Sequence, residues 1–142
     1  MNILVTGSGS LLGQGIIKSL EISKLKYKLF STDYFPSAVG LYWAQKSFLL
    51  PDILNPLVTE KDWLEEIIGI LYKEKIDILI PGLDFEIPIF SKNKKIIEER
   101  TSSTVIVSPK SVVDIGNDKW KTFQFLKEKG FYYPDSSLPK DL

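Results

Sequence analysis

The sequence predicts an α/β fold: an open, all-parallel sheet of about five strands in the order 3-2-1-4-5, with helices on both faces. Three observations predict it. Residues 2–15, NILVTGSGSLLGQG, read as a buried strand, a glycine-rich loop and the start of a helix, the opening unit of such a sheet. Short apolar runs then alternate with segments of helical period, in the order β-α-β-loop-β-α-β-α-β-α-α, which implies parallel strands joined by right-handed crossovers. Finally, 142 residues with 44% hydrophobic and 25% charged side chains suit one ordinary globular domain.

Each element has a local reason. Ile3, Leu4 and Val5 form the first strand, ended by Thr6 and Gly7. Residues 14–23 place Ile16, Ile17 and Leu20 on one helical face. Residues 27–33, YKLFSTD, alternate and end on an acid, as a second strand does. Residues 34–43 contain Pro36 and Gly40 and read as an irregular connection. A third strand over residues 46–50 stops at Pro51. Thr59, with Asp62 three residues on, resembles an acidic capping box opening a helix to about residue 75. Its buried side is Trp63, Ile67, Ile70 and Leu71. Residues 76–80, IDILI, form the fourth strand, ended by Pro81 and Gly82. Pro88 suits the first turn of a helix over residues 87–99. Residues 104–107 are the fifth strand, residues 109–116 a brief helix with Gly116 as its stop, and residues 118–129 a last helix closed by Gly130. The expected division is a sheet domain over residues 1–117 and a terminal helix with the start of a connection over 118–142.

Composition narrows the chemistry. There is neither cysteine nor histidine, which excludes disulfides, thiol nucleophiles, Ser-His-Asp triads and zinc sites built on those ligands. Eighteen basic residues balance eighteen acidic ones, so no broad nucleic-acid surface is expected. No apolar run reaches the ~18 residues of a membrane helix. The chain opens directly on a strand without a basic leader. The expectation is a cytoplasmic protein with no metal site and no nucleic-acid or membrane partner.

Motifs then point to the carboxyl ends of strands 1 and 4, where the strand order reverses and a crevice opens. The glycine loop misses the dinucleotide pattern Gly-x-Gly-x-x-Gly at Leu12, and the Gly-x-x-Gly-x-x-Gly variant at Ser10. Asp33 nevertheless stands twenty residues after Gly13, where a ribose-binding acid belongs. An NAD(P)- or nucleotide-binding module is therefore one reading. Tyr42 and Lys46 have the Tyr-x-x-x-Lys spacing of short-chain dehydrogenases but come too early in the chain, so a loop leading into strand 3 is the preferred reading. No Gly-Lys-Ser/Thr follows the glycines, which excludes a P-loop. In residues 81–88, PGLDFEIP, Asp84 and Glu86 follow a strand and precede a helix. They either hold a substrate amine or hydroxyl, or simply offset a helix N-terminus. Asp118 caps the last helix, and Lys119 sits where the helix dipole disfavours a cation, a position that an anionic ligand would explain.

Taken together, the glycine-loop opening, GLYWAQKSFLLP, IDILIPGLDFEIP and SPKSVVDIGNDKWKTFQFLKEKGFYYP resemble the N-terminal, pre-ATP-grasp domain of ATP-grasp ligases. The resemblance is nearest to the branch of the carbamoyl-phosphate synthase large subunit. It covers nearly the whole chain, and its most specific part is Asp-Lys-x6-Leu-Lys-x2-Gly-x3-Pro over residues 118–134.

The resemblance implies a Rossmann-like domain of an enzyme that activates a carboxylate as an acyl phosphate and passes it to an amine or other nucleophile. It implies Gly7, Ser8, Gly9, Ser10, Asp84 and Glu86 as small-molecule substrate contacts and Lys119 as an ATP-phosphate contact. No catalytic residue is assigned to this chain. ATP and Mg would serve the full-length enzyme, with no cofactor held tightly by this domain. The family's remaining lobes would follow Ser136, Ser137, Pro139 and Lys140, in cis or as a split partner chain. The expectation is thus a truncated or split ligase domain without turnover alone. The alternative is a non-catalytic association domain or homodimer using Phe123, Phe125, Phe131, Tyr132 and Tyr133.

Overall fold

The computed structural model describes residues 1–139; Lys140, named above as part of a connection, lies outside the described residues. The strands are β1 (Asn2–Val5), β2 (Lys28–Asp33), β3 (Lys46–Leu49), β4 (Ile78–Ile80) and β5 (Thr104–Val105). All four pairings are parallel and the order is β3-β2-β1-β4-β5, as expected from the alternation. The helices are α1 (Leu11–Ile22), α2 (Glu60–Lys73), α3 (Ile87–Thr101), α4 (Lys110–Gly116) and α5 (Lys119–Glu128), with a 3-10 turn at Val39–Tyr42 inside the irregular connection. The chain forms two compact units, one over Met1–Val107 and the other from Ser108 on.

In the first unit the strand alternation sorts residues onto two faces. Leu4, Phe30, Leu79 and Val105 meet Trp63, Ile67 and Leu71 of α2 and Phe90 and Ile97 of α3. Ile3, Val5 and Leu29 face Ile17 of α1. Trp63 and Phe90 anchor the larger core with ring centroids 5.4 Å apart and tilted. Strand ends are trimmed against expectation: β4 begins at Ile78 and β5 is two residues long.

Helix α1 starts three residues before the expected position. Ser10 is its N-cap and its hydroxyl accepts from the Gly13 N–H at 2.8 Å. Apolar period hid this start, because Leu11 is 89% and Leu12 54% exposed and neither belongs to the buried face. Thr59 caps α2 as expected, accepting from the Asp62 N–H at 3.1 Å. The Asp62 carboxylate accepts from the Thr59 hydroxyl instead of reaching back to the backbone. Tyr42 and Lys46 have structural roles: the Tyr42 hydroxyl donates to Pro36 O, and Lys46 pairs with Glu74 at 2.7 Å.

In the second unit Asp118 caps α5, accepting from Trp120 N–H at 2.9 Å and Lys121 N–H at 3.1 Å. Phe123 packs between Trp120 (4.9 Å) and Tyr133 (5.3 Å, edge-on). Helix α5 buries no residue; Phe125, Phe131, Tyr132 and Tyr133 are exposed.

Candidate functional site at the carboxyl end of the sheet

The loop after β1 is shaped by self-packing. A Cβ on Gly13 would fall 2.2 Å from Gly7 O, so the bare Gly13 lets α1 sit directly on the loop. Gly7 has φ +53°, and a Cβ there would meet Leu83 at 2.3 Å. The space that glycines can open for a ligand is, at these two positions, occupied by the chain itself.

The loop's polar groups are also engaged. The Gly9 N–H donates to Asp33 Oδ2 at 2.8 Å, and the Phe35 N–H donates to Asp33 Oδ1 at 3.0 Å. Asp33 is the last residue of β2 and shares the face of Leu29, which turns it toward α1 and its loop. The Ser10 hydroxyl donates to Gly82 O at 2.7 Å while capping α1. Gly9, Ser10, Asp33, Tyr34, Phe35 and Leu83 surround a cleft of about 200 Å3.

Beside it, Thr6 continues the face of Leu4 beyond β1 and reaches the start of α3. Its hydroxyl donates to Glu86 Oε2 at 2.5 Å. Glu86 occupies the N-cap position of α3, yet its carboxyl makes no cap bond and is turned to Thr6. It is 4% exposed. Burial, with a smaller contribution from the Asp33 charge, pushes the Glu86 carboxyl up to about 7 against the lowering effect of the Thr6 and Leu83 hydrogen bonds. A small adjoining cavity of about 10 Å3 is lined by Asp33, Tyr34, Trp63 and Glu86 among others. The buried hydroxyls of Ser8 and Thr32 have no hydrogen-bond partner among the described residues. An unsatisfied buried polar group costs roughly 1–3 kcal/mol, so this end of the sheet is where polar satisfaction is least complete.

The expected site residues therefore have different environments. Gly9 and Ser10 line the cleft, whereas Gly7 and Ser8 are buried beneath it. Asp84 is exposed and Glu86 buried, although they are two residues apart. Lys119 opens α5 in the second unit with an exposed side chain. Tyr34 and Phe35 of the cleft were not singled out from the sequence. Their signal was their position directly after the acid that ends β2. Among the described residues no cluster of acidic side chains could hold a metal ion, and no helix is long and apolar enough to cross a membrane.

Residues 3–106 match the family described as the PylC-like, N-terminal domain. The chain belongs to that family. The match ends where the first compact unit ends, so membership rests on the sheet and its helices, and the Asp118–Lys119 pattern lies outside it. Three solved structures share the fold of this PylC-like domain. The biotin carboxylase subunit of pyruvate carboxylase is 18% identical with a TM-score of 0.63, over 91% of this chain and 27% of that one. N5-carboxyaminoimidazole synthetase from Staphylococcus aureus, complexed with ADP, is 16% identical with a TM-score of 0.62, over 91% and 30%. The biotin carboxylase domain of thermophilic 2-oxoglutarate carboxylase, bound to bicarbonate, is 15% identical with a TM-score of 0.61, over 91% and 28%. The chain thus spans under a third of each. A comparison with curated proteins finds no match. The expected kinship with N-terminal domains of ATP-grasp ligases holds at the level of family and fold.

Proposed function

We propose that this domain is the substrate-side, N-terminal part of an ATP-dependent carboxylate–amine ligase. It works with ATP-grasp lobes supplied in cis or by a separate chain, and is not catalytic alone. The observation that carries the reading is the family match over residues 3–106. It is supported by the chain's spanning under a third of each of the three structures described above. On this reading Gly9, Ser10 and the residues around Glu86 shape the acceptor side, and Lys119 serves the ATP phosphates. ATP and Mg belong to the assembled enzyme, and the affinity to the carbamoyl-phosphate synthase large subunit is part of the same proposal.

The site's hydrogen bonds favour this over a dinucleotide module. The Gly9 N–H that would face a pyrophosphate already donates to Asp33 Oδ2 at 2.8 Å, so the loop lacks that amide for the phosphates. The test is the domain assembled with its ATP-grasp lobes, assayed for phosphate release from ATP with Mg, a carboxylate and an amine. Release that needs both organic substrates is expected, with Lys119→Ala raising the KM for ATP. A folded assembly that releases no phosphate with any carboxylate–amine pair, or dinucleotide binding by the domain, would overturn it.

A further inference from the structure

The cleft at the end of β2 has a one-sided chemistry. Five of its donors are already committed: the Gly9 and Phe35 N–H groups to Asp33, the Ser10 N–H to Gly7 O at 3.0 Å, the Ser10 hydroxyl to Gly82 O and the Ala38 N–H to Phe35 O at 2.9 Å. Each Asp33 oxygen accepts one of these bonds, and a carboxylate has about four lone-pair sites, so acceptor capacity remains. A second acid, Glu86, lines the adjoining cavity that Asp33 and Tyr34 share. Among the described residues no lysine or arginine lines either space. The remaining walls are apolar or aromatic, with Phe35 59% and Tyr34 43% exposed.

We propose that this cleft binds a compact primary amine as its ammonium ion, with Asp33 as acceptor and the Tyr34 and Phe35 rings against the ligand's apolar body, and that it rejects phosphate. An ammonium brings three donors and no acceptor, which complements the acceptor capacity left on Asp33. Aromatic rings at the mouth add cation–π and apolar contact. Asp33 is only 6% exposed, so what reaches it is a narrow head group. The volume of about 200 Å3 lies below the ~300–1,000 Å3 of sites for drug-sized ligands, so the bound portion is small. A phosphate would meet the Asp33 charge with no lysine or arginine lining the cleft to offset it. The proposal deepens the ligase reading and rests on it only in naming this amine the acceptor substrate.

The test uses the full chain, labelled with nitrogen-15, titrated at pH 7 with benzylamine, its neutral isostere benzyl alcohol, and inorganic phosphate, each at millimolar concentration. Benzylamine is expected to move the amides of Gly9, Ser10, Phe35 and Ala38 and to bind at least about tenfold tighter than benzyl alcohol, the ratio that ~1.4 kcal/mol of charge-assisted hydrogen bonding gives. Phosphate is expected to leave those amides unmoved. Asp33→Asn should remove the preference for the amine. Should that variant fail to fold, the comparison of amine with alcohol on the native protein still decides. Equal binding of the two, no response to benzylamine, or a stronger response to phosphate overturns the proposal. If benzylamine binds but the assembled enzyme releases no phosphate, the ligase reading falls and the cleft chemistry stands. If ligation proceeds while the cleft ignores benzylamine, only the cleft proposal falls.

Discussion

Replacing Glu86 with glutamine isolates the cost of a buried carboxylate. The wild-type carboxyl is raised from 4.5 to about 7, chiefly by burial. At about 1.4 kcal/mol per pH unit, that gap is worth about 3 kcal/mol. The sign follows from which state holds the proton. Below 4.5 both folded and unfolded chains hold it, and Glu86 imposes no penalty. Between 4.5 and about 7 the unfolded chain releases it while the folded chain keeps it, so stability falls as pH rises and the loss is complete above the folded value. Glu86→Gln is neutral at every pH, has the same shape and keeps an oxygen for the Thr6 hydroxyl. The variant should therefore match wild type near pH 4.5 and become more stable by about 3 kcal/mol near pH 8.5. For a chain of this length that is a Tm difference of about 10 °C. Urea unfolding followed by far-UV circular dichroism across this pH range measures it, and the other titrating groups cancel in the difference. Parallel pH profiles for the two proteins would refute the reasoning.

Two glycines in helices should respond oppositely to alanine. Gly13→Ala forces a Cβ to within 2.2 Å of Gly7 O, so it should lower stability by about 3 kcal/mol, seen as a lower urea midpoint at unchanged m. Gly69→Ala, on an exposed part of α2 with nothing within 4 Å, should raise it by about 0.5–1 kcal/mol. Asp118→Ala removes the acceptor for the Trp120 and Lys121 N–H groups and should weaken α5 by about 1 kcal/mol, read as faster hydrogen exchange at those two amides.

Much of the scaffold is a local property of the sequence. Apolar runs such as Ile3–Leu4–Val5 select buried parallel strands, Thr59 and Asp118 offer side-chain oxygens where helix N–H groups lack partners, and the alternation of elements selects the strand order found. These depend on neighbours a few residues apart, so the linear pattern contains them. The start of α1 was lost because its first two residues, Leu11 and Leu12, are apolar but face solvent, which defeats a reading based on periodicity. The site depended on contacts across the chain. Nothing local distinguishes Asp84 from Glu86; α3 places one in solvent and the other against Thr6, eighty residues away. Asp33 has the spacing of a ribose ligand, but only the approach of the Gly9 loop converts it into an acceptor for the chain's own amides. The glycines look like an opening for a ligand until Gly13 is seen against Gly7 and Leu83 against Gly7. Spacing along the chain fixes which groups are available, and burial and hydrogen bonding between distant segments decide which remain free to act.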